Sequence, residues 1–235
     1  MENFTSTYGT PAADALPEQR ASFIRKTYLL LAAAILAFIV VEAFMFVSGA
    51  AYGIATVVFA GGSIGWLVVL ALFMGVSWMA NRWAVSESSG LIQYLGLGAY
   101  VIAEAIIFVP LLYIAAYYSD PTVIVKAGIV TLGLFLGITA TAFLTRADFG
   151  FLGPILAIGG FAALGFIVAS AIFGFTLGNV FAFIMVAFAG TAILYNTSSV
   201  MYRFNTKQHV AAALTLFASV ALLFWYILRI FSSRR

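Results

Sequence analysis

The chain has 235 residues, of which 64% are hydrophobic and only 8% are charged, with a formal net charge of +3. A soluble domain carries roughly a quarter charged residues, so this chain has too little polar side-chain surface to cover a globule in water. The composition indicates an integral membrane protein. The absence of cysteine excludes disulfides and thiolate metal sites, and no stretch is typical of nucleic-acid recognition.

Residues 1–26 differ in composition from the rest of the chain. They are rich in Ser, Thr, Ala and Pro, with charges toward the end of the stretch. They lack the charged start, short apolar core and cleavage pattern of a removed signal peptide. We expect a flexible cytoplasmic tail over 1–26, followed by a membrane domain over 27–235. A short interfacial helix is an alternative for the last ten residues of the tail.

Seven apolar segments follow the tail, each longer than the ~17 residues that cross ~30 Å of hydrocarbon at 1.5 Å per residue. Lipid cannot satisfy exposed backbone groups, so all seven are predicted to be helices, and the short joins make neighbouring helices antiparallel. The sequence therefore predicts an all-α integral membrane protein with seven transmembrane helices. The segments are 27–47, 55–79, 91–117, 123–144, 151–173, 179–202 and 209–231.

The basic residues predict an orientation with the N-terminus in the cytoplasm, because Lys and Arg concentrate in cytoplasmic loops. That orientation leaves only Lys126 in an outer loop. Seven crossings also place Arg234 and Arg235 outside, against the rule. We still expect seven crossings, since the last segment is long enough to span. The basic residues on the inner side would be Arg20, Arg25, Lys26, Arg82, Arg146, Arg203 and Lys207.

Two acidic residues, Glu42 and Glu104, lie well inside the apolar segments. Counted from Lys26 and Gly90, both lie roughly 20–24 Å from the inner boundary. We therefore expect a shared depth and one vestibule. No Lys or Arg lies at that level, so either the carboxyls are protonated or water or a cation reaches them. One interpretation is a proton-sensitive cation site; the other is a neutral carboxyl hydrogen-bonded to a neighbouring helix.

A second polar layer lies nearer the inner face. It comprises residues of segments six and seven, which either line a hydrated cavity or form hydrogen bonds between helices. These residues are Tyr195, Asn196, Thr197, Ser198, Thr215 and Ser219.

Three stretches carry a resemblance to a known family: DFGFLGPIL at the start of segment five, ILYNTSSVMYRF at the end of segment six, and the C-terminal AALTLFASVALLFWYILRIFSSRR. They resemble the Bax inhibitor-1 family over roughly residues 20–235. The resemblance implies a seven-helix fold whose last helix is surrounded by the other six. It also implies a bacterial inner-membrane protein, an association with calcium leak and protection from cell death, and, for some bacterial relatives, modulation of a membrane-bound AAA protease.

The sequence departs from the family at two positions. Members commonly carry an aspartate after the segment-six tyrosine and another in the last helix, and that pair senses pH and gates the pore. Here the corresponding residues are Asn196 and Ser219. Neither titrates, although the two can share a hydrogen bond. We therefore expect any proton dependence to come from Glu104 or Glu42.

Two functions remain open from the sequence. The first is passive permeation of a cation, with calcium the ion that the resemblance suggests; two glutamates with hydroxyls and carbonyls would make only a weak calcium site. The second is a non-transporting regulator that binds another membrane protein, such as a protease. We expect no cofactor and no enzymatic activity. The only histidine is His209, and no pair of membrane-depth aspartates occurs.

Overall fold

A computed structural model describes residues 10–86, 90–120 and 122–233. Within these ranges the chain forms eight α-helices, and the only β-type pairing is a single bridge between Pro11 and Asn205. Seven helices are long and apolar enough to cross a membrane, and α2 is shorter. The predicted all-α fold with seven transmembrane helices is confirmed. The helices are α1 Pro17–Val47, α2 Ala50–Ala60, α3 Gly62–Val85, α4 Gly90–Tyr118, α5 Val123–Thr145, α6 Leu152–Phe173, α7 Asn179–Tyr202 and α8 His209–Ser232.

Helix α1 begins at Pro17, earlier than the predicted start of the first apolar segment at residue 27. Proline suits the first turn of a helix because its fixed φ is already helical and its missing N–H is not needed there. The end of the predicted tail is therefore helical and continuous with the first span. Residues 1–9 lie outside the described residues, and the division into a tail over 1–26 and a domain over 27–235 stays a prediction.

The predicted second segment, 55–79, is wrong as a single helix. It is divided between α2 and α3 at Gly61 and Gly62. Gly62 has a left-handed φ of +53°, and a Cβ on Gly61 would lie 2.7 Å from the Cα of Gly65. Side chains other than hydrogen are disfavoured at both positions, so the two glycines allow the chain to bend here. The span itself is α3.

Helix α8 lies at the centre of the bundle, as the resemblance implied. It packs against α1, α3, α4, α5 and α7, and 14 of its 24 residues are buried. Helix α4 is a second central helix, with 12 of 29 residues buried. Helix α6 is peripheral and buries only Ala163. The remaining helices present leucine, isoleucine and phenylalanine outward, as expected for contact with lipid.

Contacts between helix ends define two faces of the bundle. At the N-face, Ala12 donates its backbone N–H to Phe204, and the Tyr202 hydroxyl donates to the Arg146 carbonyl. At the C-face, the Ser233 hydroxyl donates to Asn179. Helix α8 therefore runs from the N-face to the C-face, which agrees with seven crossings. Arg234 and Arg235 lie outside the described residues.

Candidate functional site

Glu104 lines a cavity of about 590 Å³ between α3, α4, α6 and α8. Its side chain is buried, with the residue 6% exposed, and Oε2 of its carboxyl has no hydrogen-bond partner. The Tyr100 hydroxyl, one turn earlier on α4, interacts with this carboxyl and lies beside Ser77. The other walls are largely aromatic and aliphatic, so the carboxyl is an isolated acidic group in an apolar cavity. They include Trp66, Leu70, Phe73, Phe108, Leu222 and Trp225.

Glu42 is buried separately. It lies on the face of α1 whose buried residues pack toward α4 and α8. Neither of its carboxyl oxygens has a hydrogen-bond partner, and it does not line the cavity that contains Glu104. The predicted common vestibule for the two glutamates is therefore wrong.

The depths of the two glutamates differ as well. The rings of Phe38 on α1 and Phe108 on α4 lie 5.1 Å apart and mark a common level. Glu42 follows Phe38 by four residues toward the C-face, whereas Glu104 precedes Phe108 by four residues. At 1.5 Å per residue the glutamates are about 12 Å apart along the bundle. The expectation of a shared depth failed because packing of rings, and not distance from a loop, fixes the register of α1 against α4.

The two positions of the family's aspartate pair, Asn196 and Ser219, are in contact. The Asn196 amide donates to the Ser219 hydroxyl at 2.8 Å and to the Thr215 carbonyl at 3.3 Å. The Ser219 hydroxyl donates in turn to the same carbonyl at 3.0 Å. The hydrogen bond expected from the sequence is present. It joins α7 to α8 through neutral groups, so this pair does not change charge with pH.

A smaller cavity of about 260 Å³ lies against this pair. Asn196, Thr215 and Ser219 line it together with Asn81 of α3. Three residues of the predicted polar layer, Asn196, Thr215 and Ser219, therefore line a cavity. Asn81 was missed from the sequence because it lies just beyond the predicted segment 55–79, where a loop was expected, whereas α3 continues to Val85.

Leu222 is a wall of both cavities. It lies one turn after Ser219 on α8, between the polar cavity near the N-face and the larger cavity that contains Glu104. Helix α3 lines both as well, with Phe73 in the larger and Asn81 in the smaller. The two cavities are therefore in series along α3 and α8, with the Leu222 side chain between them.

Arg229, in the last turn of α8, lies at the C-face end of the larger cavity. Its guanidinium donates to the carbonyl of Leu177 in the loop between α6 and α7. Arg229 was missed from the sequence. The signal that indicates it is a basic side chain inside the last apolar segment, where charge is costly and marks a candidate site.

At the N-face, two of the motifs that carry the family resemblance contact each other. The Ser198 hydroxyl accepts the Phe149 N–H at 2.9 Å, and Asp148 pairs with Arg203 at 3.4 Å. The N–H of Gly150 donates to Asp148 at 2.8 Å and, with Arg203 and Ser198, holds the pKa of this carboxyl below its usual value. The motifs at the start of α6 and the end of α7 therefore connect the loop over 146–151 to α7.

The comparisons with known proteins agree with this arrangement. The family model described as "Inhibitor of apoptosis-promoting Bax1" matches residues 20–235. The chain belongs to the Bax inhibitor-1 family. Its similar relatives include Protein lifeguard 4 of Mus musculus, 28% identical over 94% of this chain and 89% of that protein. Protein LIFEGUARD 4 of Arabidopsis thaliana is 30% identical over 92% of this chain and 86% of that protein.

Bacterial Bax inhibitor-1 relatives occur as well. A protein of Pseudomonas aeruginosa is 27% identical over 68% of this chain and 68% of its own length. The chain is therefore a multi-pass membrane protein of a family found in animals, plants and bacteria, and its seven apolar helices place it in a lipid bilayer.

No group of three or more His, Asp or Glu side chains that could hold a metal ion occurs within residues 10–86, 90–120 and 122–233. Among the residues that the structure describes, Glu104 is the one carboxylate that lines either cavity of the series. A hard cation takes six to eight oxygen ligands when it is held tightly, so Glu104 with nearby hydroxyls is suited to brief, weak contact.

Proposed function

We propose that this chain is a passive cation-permeation protein, with calcium as the candidate ion, and that it lacks the aspartate pH switch of its family. The observation that carries the proposal is the series of two cavities along α3 and α8, closed at Leu222. Conduction requires binding sites that are weak enough to release the ion, and a route with one acidic residue meets that requirement.

Glu104 is the proton-sensitive candidate on this route. It is the carboxylate of the larger cavity, and one of its oxygens is free to accept a proton or to contact a cation. Glu42 is the weaker candidate, because it is buried away from both cavities. Asn196 and Ser219 contribute oxygen ligands or hydrogen bonds, but no change of charge.

The N-face is proposed to be cytoplasmic and the membrane to be a bacterial inner membrane. The charge distribution supports this orientation. Arg20 stacks over Tyr202 at this face, and Arg82, Arg146 and Arg203 lie at the N-face ends of α3, α5 and α7. Positively charged residues near membrane spans are retained on the cytoplasmic side. On the C-face the described basic residues are Lys126 and Arg229.

A second candidate function is a non-enzymatic regulator that binds another membrane protein, such as an AAA protease. The closure of the route at Leu222 favours this second function. The Leu222 side chain separates the two cavities, and the Asn196–Ser219 pair is hydrogen-bonded without a titratable group. A regulator needs neither an open route nor a charge switch.

Calcium flux into proteoliposomes between pH 6 and 8 separates the two functions. We compare the wild type with Glu104→Gln, and with Glu42→Gln as a matched substitution of a buried glutamate away from the route. Permeation predicts flux in the wild type that changes with pH, loss of that pH dependence in E104Q, and no change in E42Q. Wild-type vesicles that stay tight at every pH would reject permeation and favour the regulator.

A further inference from the structure

The C-face end of the larger cavity combines a positive charge with apolar walls. Arg229 lines this end and donates to the Leu177 carbonyl. Within the described residues the only ion pair is Asp148–Arg203, so Arg229 has no carboxylate within 4.0 Å. A guanidinium has five N–H donors, and several of those of Arg229 remain for a ligand.

The start of α3 adds further donors at the same place. Gly62 and Ser63 line the cavity and form the first turn of this 24-residue helix, which has no side-chain cap. The first N–H groups of a helix lack partners within it and carry partial positive charge, which favours an anionic group.

Glu104 lies at the end of the larger cavity that is away from Arg229 and the start of α3, so its carboxyl does not face the proposed anionic headgroup. Its Oε2 is buried and unpartnered, on a residue 6% exposed. The cavity thus has hydrogen-bond donors at the C-face, apolar walls below them, and an unsatisfied oxygen at its deep end.

A second cavity, of about 380 Å³, adjoins the first and is also lined by Arg229. The two share Gly62, Trp66, Trp225 and Arg229 as lining residues. The rings of Trp66 and Trp225 stack at 5.7 Å and form the partition between the cavities. One cation therefore lines two largely apolar cavities, which matches a lipid with a charged headgroup and two acyl chains better than it matches a soluble anion.

Helix α6 is peripheral and forms the outer wall of the larger cavity. Helix α6 packs against α3 and α7, and the larger cavity lies between it and α8. Both volumes fall in the range of about 300–1,000 Å³ typical of sites for small molecules.

We propose that these two cavities bind one phospholipid of net negative charge from the C-face leaflet. Its phosphate contacts Arg229 and the first turn of α3, and its two acyl chains occupy the two cavities on either side of the tryptophan pair. The site does not require the proposed permeation, and a lipid bound there would block that route, because its acyl chain would occupy the cavity that contains Glu104.

The test is native mass spectrometry of the purified protein titrated with phosphatidylglycerol. We compare the wild type with Arg229→Gln, and with Lys126→Gln as a matched loss of an exposed C-face cation outside both cavities. A surface cation contributes about 1 kcal/mol to the attraction of an anionic lipid, so we expect R229Q to bind the first lipid about fivefold more weakly. K126Q should bind like the wild type. Equal binding by R229Q and the wild type would overturn the proposal.

Two further measurements separate loss of lipid binding from loss of folding, and binding of a lipid from binding of a soluble anion. Leu70→Trp fills the larger cavity and leaves Arg229 in place, so it should weaken lipid binding while the protein keeps its melting temperature. Phosphatidylglycerol should raise the melting temperature of the wild type, and inorganic phosphate should not. Full stabilisation by inorganic phosphate would show a soluble-anion site and would reject the lipid.

Discussion

Gly150→Ala tests the contact between the two family motifs at the N-face. A Cβ at residue 150 would lie 1.3 Å from Nη2 and 2.1 Å from Cζ of Arg203, so the guanidinium must move. Its displacement breaks the ion pair with Asp148 and the contact over the Tyr195 ring, whose centroid lies 6.0 Å from Cζ.

The expected cost is modest, because both side chains of the ion pair are about half exposed, at 46% and 54%. An exposed ion pair is worth 0.2–1 kcal/mol and an exposed cation–π contact about 0.5–1 kcal/mol. We therefore expect the free energy of unfolding to fall by about 1 kcal/mol, measured by reversible unfolding in mixed detergent micelles at pH 7.

A matched substitution and a double-mutant cycle decide whether Arg203 is the cause. Gly165→Ala introduces a Cβ with no heavy atom within 4 Å, so it should be neutral or stabilising, since alanine favours a helix by up to ~1 kcal/mol over glycine. In an Arg203→Ala background, Gly150→Ala should cost nothing. An undiminished cost in that background would refute the reasoning.

Two other predictions concern Asp148 and Leu222. The Gly150 N–H, and then Arg203 and Ser198, lower the pKa of Asp148, so the stability gained from its charged form is present above about pH 4 and is lost as the pH falls below that value. Between pH 5 and 3 the wild type should lose more stability than Asp148→Asn, and parallel pH profiles would contradict this. Leu222→Ala should join the two cavities and raise calcium flux several-fold in proteoliposomes. Leu223→Ala, at a fully buried neighbour that lines neither cavity, should not, and equal flux from the two variants would place the barrier elsewhere.

The helices were predictable because membrane spans need long apolar runs, and seven such runs occur in the sequence. The bend at Gly61 and Gly62 was not predictable from hydropathy, since glycine does not interrupt an apolar run. A helix over the last ten residues of the tail was considered, and α1 does begin at Pro17; its continuity with the first span was missed because its first turns are polar. Hydropathy reports burial in lipid, whereas helix ends depend on local backbone geometry.

Contacts within the candidate site were predictable only at the two positions where the family resemblance already placed a pair of interacting residues. Asn196 and Ser219 were expected to meet because the family places an aspartate pair at these positions, and they do meet. Glu42 and Glu104 were placed by counting from loops, which ignores the register set by Phe38 against Phe108. The roles of Leu222 and Arg229 depend on which helices enclose a cavity, and no local pattern in the sequence contains that information.

The central position of α8 also constrains how the protein is made. A chain is synthesised from its N-terminus, so the helix at the centre of the bundle enters the membrane after the helices that surround it. Until it does, the helices that will surround it have no partner along their inner sides. The Asn196 amide in particular has both of its hydrogen-bond acceptors, Ser219 and the Thr215 carbonyl, on α8. The inner sides of the surrounding helices therefore complete their packing only after α8 has entered the membrane.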